Sequence, residues 1–330
     1  MRKYFVILFL FLSTLLNAQS YHFSQFYSTP LLTNPAFTGY IDGPYRVATN
    51  YRSQWASGGT PYTTTSLSAD FIVLPNRIAE ENRLGAGISL LNDKTMDGAV
   101  QSNSVGLSTA YNLSLDPDRV HTIGLGFQGV YHERTINFNK LSFENQLTSS
   151  GFNVSLPIGE NLQSQRKSYF DLNFGSVYNY NMDGKSFFTG LGVYNVFHKT
   201  ANYLEEEFKM PSRYTFSAGG RLNAGYSGIF YFSLNYQNEA KASETTIGAA
   251  YGLQLGSEKK QVINFGIWHR LNDAIIPYIG YQLNGFQTGF SYDYTISQLK
   301  TAGQVKSGFE ISLLYTAEDK RELKRLIPWY

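Results

Sequence analysis

From Tyr45 to Tyr315 apolar residues recur at every second position, opposed by small or polar ones, in segments of roughly ten residues divided by turn residues. That is the period-two signature of strands with two unlike faces. In Tyr169–Tyr180, Phe170, Leu172, Phe174, Tyr178 and Tyr180 share one face, while Asp171, Asn173, Gly175 and Asn179 share the other. Val105, Leu107, Tyr111, Leu113 and Leu115 repeat the pattern against Gly106, Ser108, Ala110, Asn112 and Ser114. Ile123, Leu125, Phe127 and Tyr131 do so against Gly124, Gly126, Gln128 and His132, and Phe309, Ile311, Leu313 and Tyr315 against Glu310, Ser312 and Leu314.

The pattern predicts strands over 45–54, 62–72, 84–93, 100–115, 121–137, 169–181, 186–197, 211–223, 229–237, 243–253, 261–270, 274–283, 285–294 and 308–315. They number about fourteen, and the even count suits a closed antiparallel sheet. The connections alternate as well. Asp116-Pro117-Asp118, Met182-Asp183-Gly184, Ala224–Gly228 and Asn284-Gly285 are short turn signals in even connections, whereas the long stretches 138–168, 198–210 and 295–307 are all odd ones. Short turns at one end and long loops at the other are how outer-membrane barrels are built. A soluble sandwich or propeller also alternates, but its outer face meets water and needs many charges.

Composition removes that rival. Only 16% of the residues are charged, against roughly 25% in soluble domains, yet mean hydropathy is -0.25 and 42% are hydrophobic. Aromatics make up 16% of the chain, inside that hydrophobic fraction, with 25 Tyr and 24 Phe, which is strand chemistry. The fold expected is all-β, a transmembrane antiparallel barrel of about fourteen strands over 45–315. Trp55, Tyr131, Tyr180, Phe197, Trp268 and Tyr315 lie near segment ends, where interfacial aromatic girdles belong. A net charge of +2 argues against a nucleic-acid partner.

At the amino end, Arg2 and Lys3 precede an apolar stretch from Tyr4 to Leu16, and Ala18 precedes Gln19. This reads as a signal peptide over 1–18 cleaved between Ala18 and Gln19. Export permits disulfides, but the chain has no cysteine. A closed sheet holds together without them, because closure removes unpaired edges. Residues 19–44 are expected at the periplasmic mouth or in the lumen, and 316–330 form a periplasmic tail in which Leu323, Leu326 and Ile327 would share one face of a short helix.

Candidate chemistry is sparse. Gly124-Leu-Gly126-Phe-Gln-Gly129 spells a dinucleotide fingerprint, but within an alternating strand it lacks the turn and helix that cradle a pyrophosphate. His22, His121, His132, His198 and His269 are scattered, without metal-ligand spacing. No catalytic, cofactor-binding or metal residue is expected. Glu205-Glu206-Glu207 reads as a solvated acidic loop or as a contact for a basic partner. Alternation puts Tyr51 and Trp55 on one face, and Arg52 and Gln54 on the other. In a lumen, Arg52 and Gln54 would hold an inserted segment or pair with Asp293 or Glu310.

Several stretches are familiar together. His22-Phe-Ser-Gln-Phe-Tyr-Ser-Thr-Pro30-Leu-Leu-Thr-Asn34-Pro35-Ala36-Phe-Thr-Gly39 and Arg46-Val-Ala-Thr-Asn-Tyr51-Arg52-Ser-Gln54-Trp55 resemble the opening of the PorP/SprF family of type IX secretion system proteins of Bacteroidota. Pro211–Gly220, Trp268-His-Arg270, Ile276–Tyr281, Phe290-Ser-Tyr292-Asp293, Ser297-Gln-Leu299 and Glu310-Ile-Ser-Leu agree in consistent order. No peptidoglycan-binding domain follows, so the chain resembles the single-barrel form. Asn34, Pro35, Tyr51, Trp55, Tyr292 and Asp293 carry the motif. The resemblance implies a non-catalytic outer-membrane barrel in contact with membrane lipid. Such a barrel assists secretion or surface anchoring of cargo with a carboxyl-terminal sorting domain, including gliding-motility adhesins. It implies periplasmic or peptidoglycan-anchored partners from the secretion and gliding machinery. The alternative is a general diffusion porin, and a barrel enzyme would require a clustered nucleophile and base.

Overall fold

The computed structural model describes residues 22–55, 60–75, 77–153, 155–157, 162–198, 200–203, 206–256, 260–297 and 307–318, with backbone alone at 200–203 and 206–209. Fourteen antiparallel strands close into one barrel. They are β1 (Tyr45–Gln54), β2 (Tyr62–Val73), β3 (Arg83–Thr95), β4 (Val100–Ser114), β5 (His121–Ile136), β6 (Gln165–Met182) and β7 (Lys185–Tyr194). The second half comprises β8 (Arg213–Ala224), β9 (Gly228–Glu239), β10 (Ala242–Leu255), β11 (Gln261–Arg270), β12 (Ala274–Leu283), β13 (Phe286–Thr295) and β14 (Gly308–Thr316). Each strand pairs with its neighbours in sequence, and β14 closes on β1 with Arg52 opposite Glu310.

Every expected strand has its counterpart. The sixth begins earlier, at Gln165, and the seventh ends earlier, at Tyr194. The early stop has a local cause: Asn195 turns the chain at φ 57, and its N–H donates to the Asn173 carboxamide at 3.1 Å instead of continuing the ladder. Asn284 and Gly285, at φ 48 and 81, form the two-residue turn that β12 and β13 require.

The barrel is inside out relative to a soluble protein. On β6, Phe170, Phe174 and Tyr178 are 50%, 44% and 38% exposed, whereas Asp171, Asn173 and Asn179 are 0%, 5% and 0%. The apolar rows therefore face lipid, and the polar rows face a filled lumen. The long connections 137–164, 195–212 and 296–307 share one end, which in outer-membrane barrels is the external one. The first carries the short hairpin Leu147–Thr148 with Gly151–Phe152, and the second carries Thr200–Tyr203 paired with Glu206–Lys209.

Trp268 corrects the girdle expectation. It is 1% exposed and faces the lumen, because it shares the parity of Asn264 and Arg270 on β11. Proximity to a strand end says nothing about face. Residue Glu205, the side chains of Glu206 and Glu207, residues 298–306, the tail from 319 onward with Leu323, Leu326 and Ile327, and residues 1–21 lie outside the described residues.

Candidate functional site

Residues 22–41 thread the lumen from one end to the other. The segment is short-range helical, with turns at Phe26–Ser28, Pro30–Thr33 and Pro35–Phe37. Three kinds of contact hold it.

At the long-connection end, Ser24 and Gln25 meet an ionic cluster built from five strands. Arg52 on β1 reaches Asp293 on β13 at 2.7 Å and Glu310 on β14 at 3.3 Å. Arg270 on β11 reaches the same Asp293 oxygen at 2.9 Å, Asp273 at 2.9 Å and Glu244 on β10 at 3.6 Å. Ser24 sits among them: its hydroxyl lies 2.8 Å from Asp293 and accepts from Arg52 and Arg270, and its N–H donates to Glu310 at 2.8 Å. Gln25 donates its own N–H to Glu310 at 3.1 Å, gives its amide to Ser291 at 3.0 Å and accepts from Ser312 at 2.7 Å. Arg52 is 1% exposed and Glu310 0%. Charges this deep persist only when each is paired and hydrogen-bonded.

His22 packs against this cluster, 3.7 Å from Glu244 and 3.4 Å from Arg52. Burial, helped by the neighbouring Arg270 and Arg52 charges and opposed by Glu244, pulls its pKa from the ordinary 6.5 to about 4. The ring is therefore neutral at pH 7, and its contact with Glu244 is not an ion pair there.

In the middle of the barrel the contacts are apolar and backbone-mediated. Tyr27 lies 5.0 Å from the Trp268 ring and edge-on to Tyr278 at 5.7 Å, and the Trp268 indole donates to Ser233 at 2.9 Å. Burial first, then the neighbouring Tyr278, raises the Tyr27 phenol pKa well above its usual range. Asn34 accepts from the Ala36 N–H at 2.9 Å, which caps the Pro35–Phe37 turn, and donates to the carbonyls of Ser176 on β6 and Leu191 on β7 at 3.0 and 3.1 Å. This approach needs bare backbone. A Cβ on Gly126 would stand 2.3 Å from Pro35 and Ala36 main-chain atoms, and one on Gly175 would stand 1.9 Å from the Asn34 side chain. Two glycines of the dinucleotide-like spelling, Gly124 and Gly126, are thus small lumen-facing residues, and Gly126 makes room for the threaded segment.

At the short-turn end, Arg46 on β1 grips Asp70 on β2 through two bonds of 3.0 and 2.9 Å and donates to the Phe37 carbonyl at 3.1 Å. Asp70 accepts the Gly39 N–H at 2.7 Å, Arg83 on β3 donates to the Ile41 carbonyl, and Asn181 on β6 donates to the Tyr40 hydroxyl at 2.6 Å. Burial raises the Tyr40 phenol pKa, so it serves as a neutral hydrogen-bonding group.

Of the residues singled out by sequence, the structure brings together Arg52, Asp293 and Glu310, joined by His22-adjacent Ser24, and places Asn34 and Pro35 in the middle. Gln54 stands apart, half-buried at the end of β1 opposite Gly308 and Tyr62. Tyr51 and Tyr292 face lipid, 40% and 39% exposed. Trp55 lies just past β1 at φ 60, its ring edge-on to Tyr62 at 5.2 Å. Sequence reasoning missed Arg46, Asp70, Arg83, Glu244 and Arg270. Parity held the signal for one pair: Arg46 shares the inward set of Arg52, and Asp70 that of Ser66 and Ser68.

Ser104 and His132 form a nucleophile–base contact at 2.7 Å through Nδ1. The adjacent Asp171 spends one carboxylate oxygen on the N–H groups of Leu172 and Phe197, at 2.7 and 3.0 Å, and not on the imidazole. A triad order is not made.

A crystal structure of a Pseudomonas aeruginosa FadL homologue is similar with a TM-score of 0.53 at 10% identity, covering 87% of this chain and 94% of that one. The Pseudomonas putida toluene transporter TodX reaches 0.49 at 8% identity, over 89% and 93%. At 10% identity the likeness to the FadL homologue is one of fold alone. A search of the curated proteins finds no match. The family described as type IX secretion system membrane protein PorP/SprF matches residues 15–315, spanning the threaded segment and all fourteen strands. This outer-membrane, multi-pass barrel belongs to the PorP/SprF family of type IX secretion system membrane proteins.

Proposed function

We propose that this barrel is a non-catalytic component of the type IX secretion and gliding machinery, assisting secretion or surface anchoring of cargo with a carboxyl-terminal sorting domain. One observation carries the choice over a general diffusion porin: residues 22–41 run through the lumen and are held at both ends by buried charged side chains. A barrel whose interior is filled in this way serves as a scaffold. Cargo capture falls to the external connections 138–168, 198–210 and 295–307, and the opposite end faces periplasmic or peptidoglycan-anchored components of the machinery. Deleting the gene is expected to strip a subset of sorting-domain proteins from the cell surface. An unchanged surface proteome would overturn the proposal. Steady conductance of the purified protein in a planar bilayer would favour the porin.

A further inference from the structure

The threaded segment has a direction. β1 starts at the short-turn end and finishes at the long-connection end, because Tyr45 lies opposite Phe71 while Gln54 lies opposite Tyr62 and Gly308. The segment that feeds β1 runs the other way. Its last residues are fastened at the short-turn mouth: the Gly39 N–H donates to Asp70 at 2.7 Å, Asn181 donates to the Tyr40 hydroxyl at 2.6 Å, and Arg83, the first residue of β3, donates to the Ile41 carbonyl. Asn34 stands mid-barrel on the carbonyls of Ser176 and Leu191. The first described residues are fastened at the long-connection mouth. There Ser24 meets Glu310, Asp293 and Arg270, the last residue of β11, and His22 lies 3.7 Å from Glu244.

Whatever precedes His22 therefore enters the barrel at the long-connection mouth, and two features keep it from turning back. The passage is already occupied: Gln25, Leu31, Asn34 and Ala36 are 0% exposed, and neither Gly126 nor Gly175 has room for a methyl group beside the segment. A second stretch of chain has no space alongside. The reach is also short. A leader cut between Ala18 and Gln19 leaves Gln19, Ser20 and Tyr21 before His22, which span at most about 11 Å fully extended, whereas the apolar band of an outer-membrane barrel is about 25 Å tall. The other end of the chain departs from the opposite mouth, where the Ala317 N–H donates to the Tyr45 carbonyl at 3.0 Å beside the start of β1.

We infer that this barrel presents its mature amino end at the cell surface, while its carboxyl tail lies in the periplasm. Residues 19–21, expected from sequence at the periplasmic mouth or in the lumen, thus fall on the external side. The segment is tied covalently at the periplasmic mouth, through β1, and by ion pairs and hydrogen bonds at the outer one. This placement stands whether or not the barrel takes cargo; it rests on the long connections being external.

The test exploits a chain without cysteine, in which each single replacement supplies the only thiol. Ser20→Cys, in the full-length protein expressed in its own cells, is treated with a membrane-impermeant maleimide. Ser149→Cys, in the exposed turn of the Leu147–Phe152 hairpin, marks the external side. Tyr226→Cys marks the periplasmic side, at the tip of the β8–β9 turn where Tyr226 is 85% exposed. Heat-modifiable mobility in gel electrophoresis reports that each variant is folded. On intact cells Ser20→Cys should label to the same extent as Ser149→Cys, and Tyr226→Cys should label only after the outer membrane is permeabilised. Absence of Ser20→Cys labelling on intact cells that label Ser149→Cys overturns this inference alone. Labelling of Tyr226→Cys on intact cells with Ser149→Cys silent reverses the barrel, and overturns both this inference and the assignment of cargo capture to the long connections. An unchanged surface proteome on gene deletion, with Ser20→Cys labelled, overturns the functional proposal and upholds the placement of the amino end.

Discussion

Arg52 and Asp293 are separated by most of the chain, yet their side chains meet at 2.7 Å inside the barrel, with Ser24 held between them and Glu310. The contact joins the first strand, the last two strands and the threaded segment, so the charges that meet at the barrel seam also fasten the segment that fills the lumen. Glu310 lies directly opposite Arg52 in the β1–β14 ladder, at the seam where the sheet must find its own beginning.

Replacing Arg52 by Ala leaves Asp293 and Glu310 with less countercharge in a buried site. Removing one partner of a buried ion pair costs about 3–5 kcal/mol. The temperature at which the protein loses its heat-modifiable mobility should drop clearly, and Gln54→Ala, outside the cluster, should change it little.

Gly126→Val tests the backbone approach of the Asn34–Ala36 turn. The new side chain would occupy the space of Pro35 and Ala36 main-chain atoms, and overpacking of this kind costs about 1–3 kcal/mol or displaces the segment. A lowered unfolding temperature with raised protease sensitivity near residues 22–41 is the expected result. Gly129→Ala meets the far end of the Phe170 ring and, at ordinary contact distance, Leu172 on the lipid face and should be milder.

Acid should loosen the outer end of the threaded segment. The His22 pKa falls from 6.5 to about 4 in the folded protein, so the native state prefers the neutral ring. The unfolded chain binds a proton as pH drops below 6.5 while the native one does not, and stability decreases until about pH 4. Denaturant titrations across that window should show the loss, and His22→Gln should flatten it.

Deleting residues 22–41 removes the groups that fill the lumen while leaving the strands. The shortened barrel should conduct ions steadily in a planar bilayer where the full-length protein does not. Equal conductance of the two would sink the view that this segment closes the pore.

How much of this was legible in the sequence depends on range. Strand existence was, because a strand in lipid must satisfy its backbone within a closed sheet and present an apolar row outward, so period two is imposed locally on every segment. Residue parity even placed Arg52, Asp293 and Glu310 inward. Trp268 went astray because bulk and strand-end position suggested an interface, while its parity already pointed to the lumen. Asn195 shortened β7 through a side-chain bond to another strand, a contact that no local propensity carries.

The amino-acid sequence alone determined the architecture: alternation, turn chemistry and the shortage of charge leave a membrane barrel of about fourteen strands as the consistent solution. Only the tertiary structure decided what fills that barrel. Which inward carboxylate meets which arginine, which glycines stand beneath Asn34 and Pro35, and which strand residues hold the threaded segment depend on positions up to 287 residues apart in the chain, as for Gln25 and Ser312. Such pairs leave no periodic trace in the sequence. They exist because closure brings the first and last strands together around a segment that had to satisfy its buried polar groups there.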